Sequence, residues 1–117
     1  MTTLNFSKGF VAAVVVDEQT NDVLMVGFMD QAAYDKTLAT GLVTFFSRTK
    51  NRLWTKGETS GNTLELKRMW IDCDQDSLLI AVKANGPTCH TGNRSCFYTE
   101  VEVPDVIRTG TDRQSED

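Results

Sequence analysis

All three cysteines of this chain, its only histidine and three closely spaced aspartates fall between Asp72 and Phe97. The stretch reads Asp72-Cys73-Asp74-Gln75-Asp76, then an apolar run from Leu78 to Val82, then Gly86-Pro87-Thr88-Cys89-His90-Thr91-Gly92-Asn93-Arg94-Ser95-Cys96-Phe97. Any fold must place these groups, so the other residues are read as the frame that holds them and brings a substrate to them. An odd number of cysteines cannot all pair within one chain. In a reducing compartment they suit metal ligation or thiol chemistry better than a disulfide framework.

The frame is small. A length of 117 residues with 40% hydrophobic and 24% charged residues suits one domain over residues 1–117. Its core is expected over about 9–103, with 104–117 a flexible polar tail. A chain this size buries roughly two-thirds of its unfolded surface and needs no staples. No apolar run approaches the roughly 20 residues that span a bilayer. The segment from Met1 to Lys8 lacks the apolar core of a signal peptide, which places the chain in the cytoplasm and off the membrane. A net charge of −4 without a long Lys/Arg run argues against nucleic-acid binding. It leaves room for a small anionic substrate, which needs only a few local cations.

Short runs rich in β-branched residues predict strands at residues 10–16 and 23–29, joined as a hairpin by a polar turn. Asp30 is a good N-cap, and residues 31–40 read as a helix stopped by Gly41, with Tyr34 and Leu38 four apart on one face. Further extended segments follow at 42–47, 53–56, 63–71, 77–83 and 95–103. Residues 48–52 form a basic turn, and 57–62 a polar loop between glycines. One main helix among six or seven strands predicts an α+β class, as a β-rich single domain.

In an ideal strand Asp72 and Asp76 stand about 13 Å apart, too far to share an ion. A reversal near Gln75 lets all three carboxylates converge, and three hard oxygens suit Mg²⁺ or Ca²⁺. The plainer alternative is an acidic turn, since Asp is a common turn residue. An EF-hand is excluded, because Ser77 and Lys83 stand where its glycine and glutamate belong. Cys89 and Cys96 flank six residues that contain Gly92, so one loop can bring both to an ion. With Cys73 they would give zinc three ligands and leave one position for water. His90 is then a fourth ligand or the base beside that water. The alternative is three apolar buried thiols and a satisfied histidine. If the backbone is extended at Cys73, its thiol points away from Asp72 and Asp74, on a side where it could meet Cys89 and Cys96 of a partner chain. Arg48, Lys50, Arg52 and Lys56, with Thr59, Ser60 and the neighbouring glycines, are candidates for a phosphate, against the alternative of a solvated basic turn. Trp54 either stacks on a base or packs in the core.

Together these motifs resemble the phosphoribosyl-AMP cyclohydrolases of histidine biosynthesis. Support extends upstream through Phe46-Ser47-Arg48, Leu53-Trp54-Thr55-Lys56-Gly57-Glu58-Thr59-Ser60-Gly61, Val23-Leu24-Met25 and Phe28-Met29-Asp30, so the resemblance covers about residues 9 to 98. It implies hydrolysis of the adenine ring of N1-(5-phosphoribosyl)-AMP between N1 and C6 by an intertwined homodimer. It implies Zn²⁺ held by Cys73 of one subunit and Cys89 and Cys96 of the other, and Mg²⁺ held by Asp72, Asp74 and Asp76. His90 is placed to accept or relay a proton, and Arg48, Trp54, Lys56, Thr59 and Ser60 to meet the substrate. Many relatives carry a second, pyrophosphohydrolase domain. The length here leads us to expect a monofunctional chain. Thr63-Leu64-Glu65 and Asn93-Arg94 fall where the pattern varies.

Two other classes compete. A zinc base deaminase carries His-x-Glu with Pro-Cys-x-x-Cys, whereas His90 is followed by Thr91-Gly92 and Cys89 has no cysteine three residues on. A structural zinc module closes its site with four Cys/His ligands, commonly as Cys-x-x-Cys pairs, and no such pair is present.

Overall fold

The computed structural model describes residues 3–110. Two β-branched runs, β1 (Val11–Asp17) and β2 (Val23–Met29), pair antiparallel as expected. Asn21 closes their turn at φ 63, a left-handed conformation that asparagine tolerates better than most residues. β5 (Leu64–Ile71) and β6 (Ser77–Ala84) form a second hairpin whose reversal is the aspartate cluster. The hairpins join through a parallel β1–β6 pairing, giving the sheet order β2-β1-β6-β5. Parallel neighbours require a long crossover. Here it carries α1 (Gln31–Thr40) and a small two-stranded sheet of β3 (Thr44–Ser47) and β4 (Arg52–Thr55).

Period-2 alternation decides which face is inside. Val11, Ala13 and Val15 of β1 and Leu78, Ile80 and Val82 of β6 are buried, and with Leu24, Met29, Val43, Phe45 and Leu64 they form one core. The helix is capped as its sequence predicts. Asp30 Oδ1 accepts the Ala33 N–H at 2.8 Å, and Gly41, at φ 76, donates its N–H to the Thr37 carbonyl. Its inward face differs from the Tyr34–Leu38 stripe. Ala33 and Thr37 are buried, Tyr34 packs at the rim and Leu38 is exposed. Thr37 can be buried because its hydroxyl donates to the Ala33 carbonyl at 2.9 Å and accepts the Thr44 N–H at 2.9 Å. The second of these bonds docks α1 onto β3.

Three boundaries depart from expectation. The third strand is Thr44–Ser47, and Leu42 makes only an isolated bridge to Glu65. Residues 95–103 form no strand: Ser95 and Cys96 bend, and the segment beyond finds no edge within the chain. After Pro104, where a polar tail is expected, a short helix α2 (Asp105–Thr109) forms and ends at Gly110. The expected tail over 111–117 lies outside the described residues. The core also reaches further toward the N-terminus than residue 9, since Leu4 is buried and the Asn5 N–H donates to the Gln75 carbonyl at 2.6 Å. Among the described residues no helix is long and apolar enough to cross a membrane. The described chain is an α+β domain with one main helix and six strands.

Candidate metal and substrate site

The β5–β6 reversal is built for converging carboxylates. Gln75 takes a left-handed φ of 66, and its N–H donates to the Asp72 carbonyl at 3.1 Å. Asp72 Oδ1 accepts the N–H groups of Asp76 at 3.0 Å and Ser77 at 3.1 Å. One carboxylate oxygen from each of Asp72, Asp74 and Asp76 lies within 4.8 Å of the others, and all three residues are exposed. Desolvation pushes the Asp72 carboxyl up, but the N–H groups of Asp76 and Ser77 together hold it below its ordinary value. A charged triplet of hard oxygens on a turn open to solvent fits a divalent cation.

Cys73 is exposed on the same turn, with its thiol 3.6 Å from Asp74 Oδ1. Contrary to expectation it does not point away from its own aspartates, because residues 73–76 are turn and bend, where strand alternation does not apply.

The other thiols sit on a loop folded on itself. The Thr88 and Cys89 N–H groups donate to the carbonyls of Arg94 and Asn93, and Gly92 N–H returns to the Cys89 carbonyl. This brings the Cys89 and Cys96 thiols into hydrogen-bonding contact, with the Lys56 charge nearby. The Thr91 hydroxyl donates to Cys89 Sγ at 3.0 Å. Chiefly for that reason, aided by the Thr91 N–H, the Cys89 thiol is held below its ordinary pKa. Cys96 is pushed up, first by desolvation and then by Cys89. Two adjacent sulfurs, with Cys89 the more readily deprotonated, are a donor pair for a soft metal ion. The third thiol is elsewhere: among the described residues the aspartates form the only cluster of three candidate ligands, so Cys73 does not complete a site with Cys89 and Cys96 of its own chain.

Sequence reasoning passes over three residues of this loop. Arg94, read as variable, donates to Asp22 at 2.6 Å, Asp17 at 2.9 Å and Thr20 at 3.0 Å, anchoring the loop to the β1–β2 turn. Ser95 Oγ and the Cys96 N–H bond the carbonyls of Val23 and Leu24 at 2.8 Å. Thr88 is 1% exposed and its hydroxyl has no hydrogen-bond partner, an orphaned polar atom next to Cys89. His90 is exposed, and its ring takes no hydrogen-bond partner among the described residues.

The substrate candidates divide. A cleft of about 380 Å³ is lined by Ser47, Lys50, Arg52, Trp54, Glu58 and Thr59, so Trp54 and Thr59 reach it. Arg48 lies instead over the Phe28 ring at 3.9 Å, beside a smaller hollow of about 230 Å³ that shares Trp54. Lys56 turns toward the thiols, and its ammonium stands 5.8 Å from the Trp54 ring. The Ser60 hydroxyl accepts the Asn62 N–H at 3.2 Å. Trp54 also packs on Phe45, at 5.2 Å between centroids, so one indole serves the core and the cleft. The loop after Gly57 offers fewer free N–H groups than a phosphate cradle needs, since those of Glu58, Gly61 and Thr63 are bonded within it. It is locked to the thiol loop at Gly86. There φ is +133, and a Cβ would meet Asn62 Oδ1 at 2.3 Å, so only glycine fits.

The comparisons agree with this geometry. The model of the family described as phosphoribosyl-AMP cyclohydrolase matches residues 25–98. The chain is 59% identical over 98 residues to the histidine biosynthesis bifunctional protein HisIE of Staphylococcus aureus strain COL, covering 84% of this chain and 47% of that protein. It thus spans about half the length of such bifunctional relatives. It is 53% identical over 102 residues to a phosphoribosyl-AMP cyclohydrolase of Listeria innocua serovar 6a, covering 87% of this chain and 97% of the relative. The corresponding Listeria monocytogenes serotype 4b protein is 51% identical over the same span. With its family motifs assembled into one aspartate turn and one thiol loop, the chain belongs to the phosphoribosyl-AMP cyclohydrolase family.

Proposed function

We propose that this chain hydrolyses the adenine ring of N1-(5-phosphoribosyl)-AMP between N1 and C6, a step of histidine biosynthesis, as a cytoplasmic homodimer with zinc and magnesium sites. The observation that carries the reading is the paired Cys89 and Cys96 thiols beside Lys56 and the Trp54 cleft, in a chain of this family. The donor sets support one metal of each kind. Asp72, Asp74 and Asp76 offer oxygen ligands for Mg²⁺. Cys89 and Cys96 offer two soft ligands for Zn²⁺, with Cys73 of the partner as the third. Zinc, when bound, supplies the Lewis acidity that lowers the pKa of a water from about 15.7 toward 7.

The chain's own residues do the rest. Ribosylation at N1 makes the purine cationic and C6 electrophilic. The oxygen of water bonds to C6, the N1–C6 bond breaks, and N1 takes up a proton from that water, giving the formimino carboxamide ribotide. His90, exposed next to Cys89, takes the proton from the water and returns it. Trp54 presents a face to the base, while Arg48, Lys50 and Arg52 meet phosphate charge. The absence of the deaminase motif sets the reading apart from base deamination.

The test pairs metal analysis with an assay on the N1-ribosylated nucleotide. The purified protein is expected to open the ring and to hold one zinc per chain, and Cys89→Ser to lose both. Wild-type turnover by a pure Cys89→Ser protein would sink the zinc assignment. A fully metallated wild-type protein that leaves the nucleotide intact would sink the function.

A further inference from the structure

The cysteine sulfurs differ in the direction of their hydrogen bonds. Cys73 donates its own proton, to Asp74 Oδ1 at 3.6 Å. Cys89 accepts one, from the Thr91 hydroxyl at 3.0 Å. The difference counts once a sulfur ligates a metal, because the ligand is the thiolate. A bond that the thiol donated disappears with its proton. A bond that the sulfur accepts survives and strengthens, since its acceptor is then ionised. Among the described residues, Cys89 is the one cysteine whose sulfur accepts a hydroxyl.

A hydroxyl has one proton and rotates to place it where an acceptor offers itself. Asn93 removes that freedom from Thr91, because its Nδ2 donates to Thr91 Oγ1 at 3.0 Å. With a lone pair of the hydroxyl engaged by the amide, its proton is left for the sulfur. The same turn fixes the cysteine backbone. The Cys89 N–H donates to the Asn93 carbonyl at 3.0 Å, and the Cys89 carbonyl accepts the Gly92 N–H at 2.9 Å. Residues 91–93 therefore hold both the main chain and the sulfur of Cys89. Cys96 is held differently, through its N–H to the Leu24 carbonyl, and its sulfur meets that of Cys89. Burial adds to the contrast. Cys89 is 8% exposed, whereas Thr91 and Asn93 are exposed. A buried sulfur that carries charge has little water to solvate it, and the Thr91 hydroxyl stands in for that water.

We infer that Thr91 is a positioning residue for the zinc site: its hydroxyl, aimed by Asn93, holds the Cys89 sulfur beside Cys96 and offsets part of the charge that sulfur carries as a ligand. The inference rests on the reading of Cys89 and Cys96 as zinc ligands. Partners of this kind, which touch a ligand and not the metal, fix the ligand's orientation. His90 lies between Cys89 and Thr91 in the chain, so the turn that aims the sulfur also carries the proposed proton carrier. Turnover would mix the two roles, and the test therefore reads the metal.

The full chain and its Thr91→Val, Thr91→Ser and Asn93→Asp variants are loaded with zinc and titrated against a chromophoric chelator. Valine keeps the shape of threonine without the hydroxyl, and Thr91→Val should weaken zinc binding about 10- to 100-fold. Thr91→Ser keeps the hydroxyl and should bind zinc as the wild-type protein does. Asn93→Asp replaces a donor to Thr91 with an acceptor that draws its proton off the sulfur. It should weaken binding too, whereas its added negative charge alone would strengthen it. With Co²⁺ in place of zinc, Thr91→Val should move the sulfur-to-cobalt charge-transfer band to longer wavelength, since a thiolate without that bond gives up electron density more readily. Wild-type affinity and an unmoved band in a folded Thr91→Val protein overturn the proposal and leave the zinc reading standing. A Thr91→Ser protein as weak as Thr91→Val also overturns it, because only the methyl group would then matter. If Thr91→Val does not fold, Asn93→Asp carries the test, and zinc binding at or above the wild-type level overturns the proposal. A wild-type protein that takes up no zinc overturns the zinc reading and this inference together.

Discussion

His90 is exposed and unpartnered one position past a buried, hydrogen-bonded Cys89, which suits a group that exchanges protons with solvent. His90→Ala should therefore keep zinc and lose at least tenfold in kcat, since positioned acid–base groups typically contribute about 10²–10⁴. Loss of an equivalent of zinc from this variant would make His90 a ligand instead. The aspartates call for a different choice. Asp72 also holds the turn together through two N–H groups, so its removal confounds folding with metal binding. Asp74, whose carboxylate contacts the Cys73 thiol and the Asp72 side chain rather than the N–H groups of the turn, is the cleaner probe. Asp74→Asn should raise the Mg²⁺ concentration needed for activity while zinc content stays at the wild-type level. Zinc loss with an unchanged Mg²⁺ response would mean that the two donor sets have been exchanged. Clustering made these residues legible in the sequence. Thr88, Thr91 and Arg94 were not, because an ordinary hydroxyl or guanidinium becomes significant only through its partner. Arg94 and Asp17 are 77 residues apart.

Arg94 belongs to the scale of elements, because it ties the thiol loop to the β1–β2 hairpin. The Asp17 carboxyl is held below its ordinary value of 3.8, first by the Gln19 N–H, against desolvation, and further by the Thr20 N–H and Arg94. A carboxylate depressed in the folded state adds stability above its unfolded pKa, and that stability is lost as pH falls through the lower folded value. Arg94→Ala should therefore lower the thermal midpoint at neutral pH and weaken zinc retention, and its deficit against wild type should shrink in acid. A deficit that is the same at both ends of the pH range would show that the clamp acts through packing rather than charge. Most elements were legible here: the first hairpin, the capped helix and the aspartate turn follow from alternation, Asp30/Gly41 and turn residues. The parallel β1–β6 pairing was not, since local pattern does not record which distant strands meet. The strand expected at 95–103 failed for a related reason. Its alternation is real, but the edge or face that would order it is absent from the single chain.

At the scale of the whole molecule, the three thiols stand at two separate places. Cys73 shares a turn with the aspartates, while Cys89 and Cys96 are fastened to the far hairpin through Leu24 and the Arg94 clamp. Both loops are anchored by several hydrogen bonds, so joining them within one chain would break a hairpin turn or release the thiol loop. A two-fold dimer needs neither distortion, because each Cys73 meets the partner's pair and two equivalent sites result. Complementation separates the two arrangements. Cys73→Ser and Cys89→Ser subunits, each inactive alone, are mixed under conditions that allow exchange. With sites built across the interface, a mixed dimer contains one intact site and one doubly damaged site, so about half of wild-type activity and one equivalent of zinc should return per heterodimer. With sites built within a chain, every site in the mixture stays broken. Exchange verified by mass, with neither zinc nor activity recovered, would place all three thiols on one subunit and require the thiol loop to leave the β1–β2 turn on binding metal.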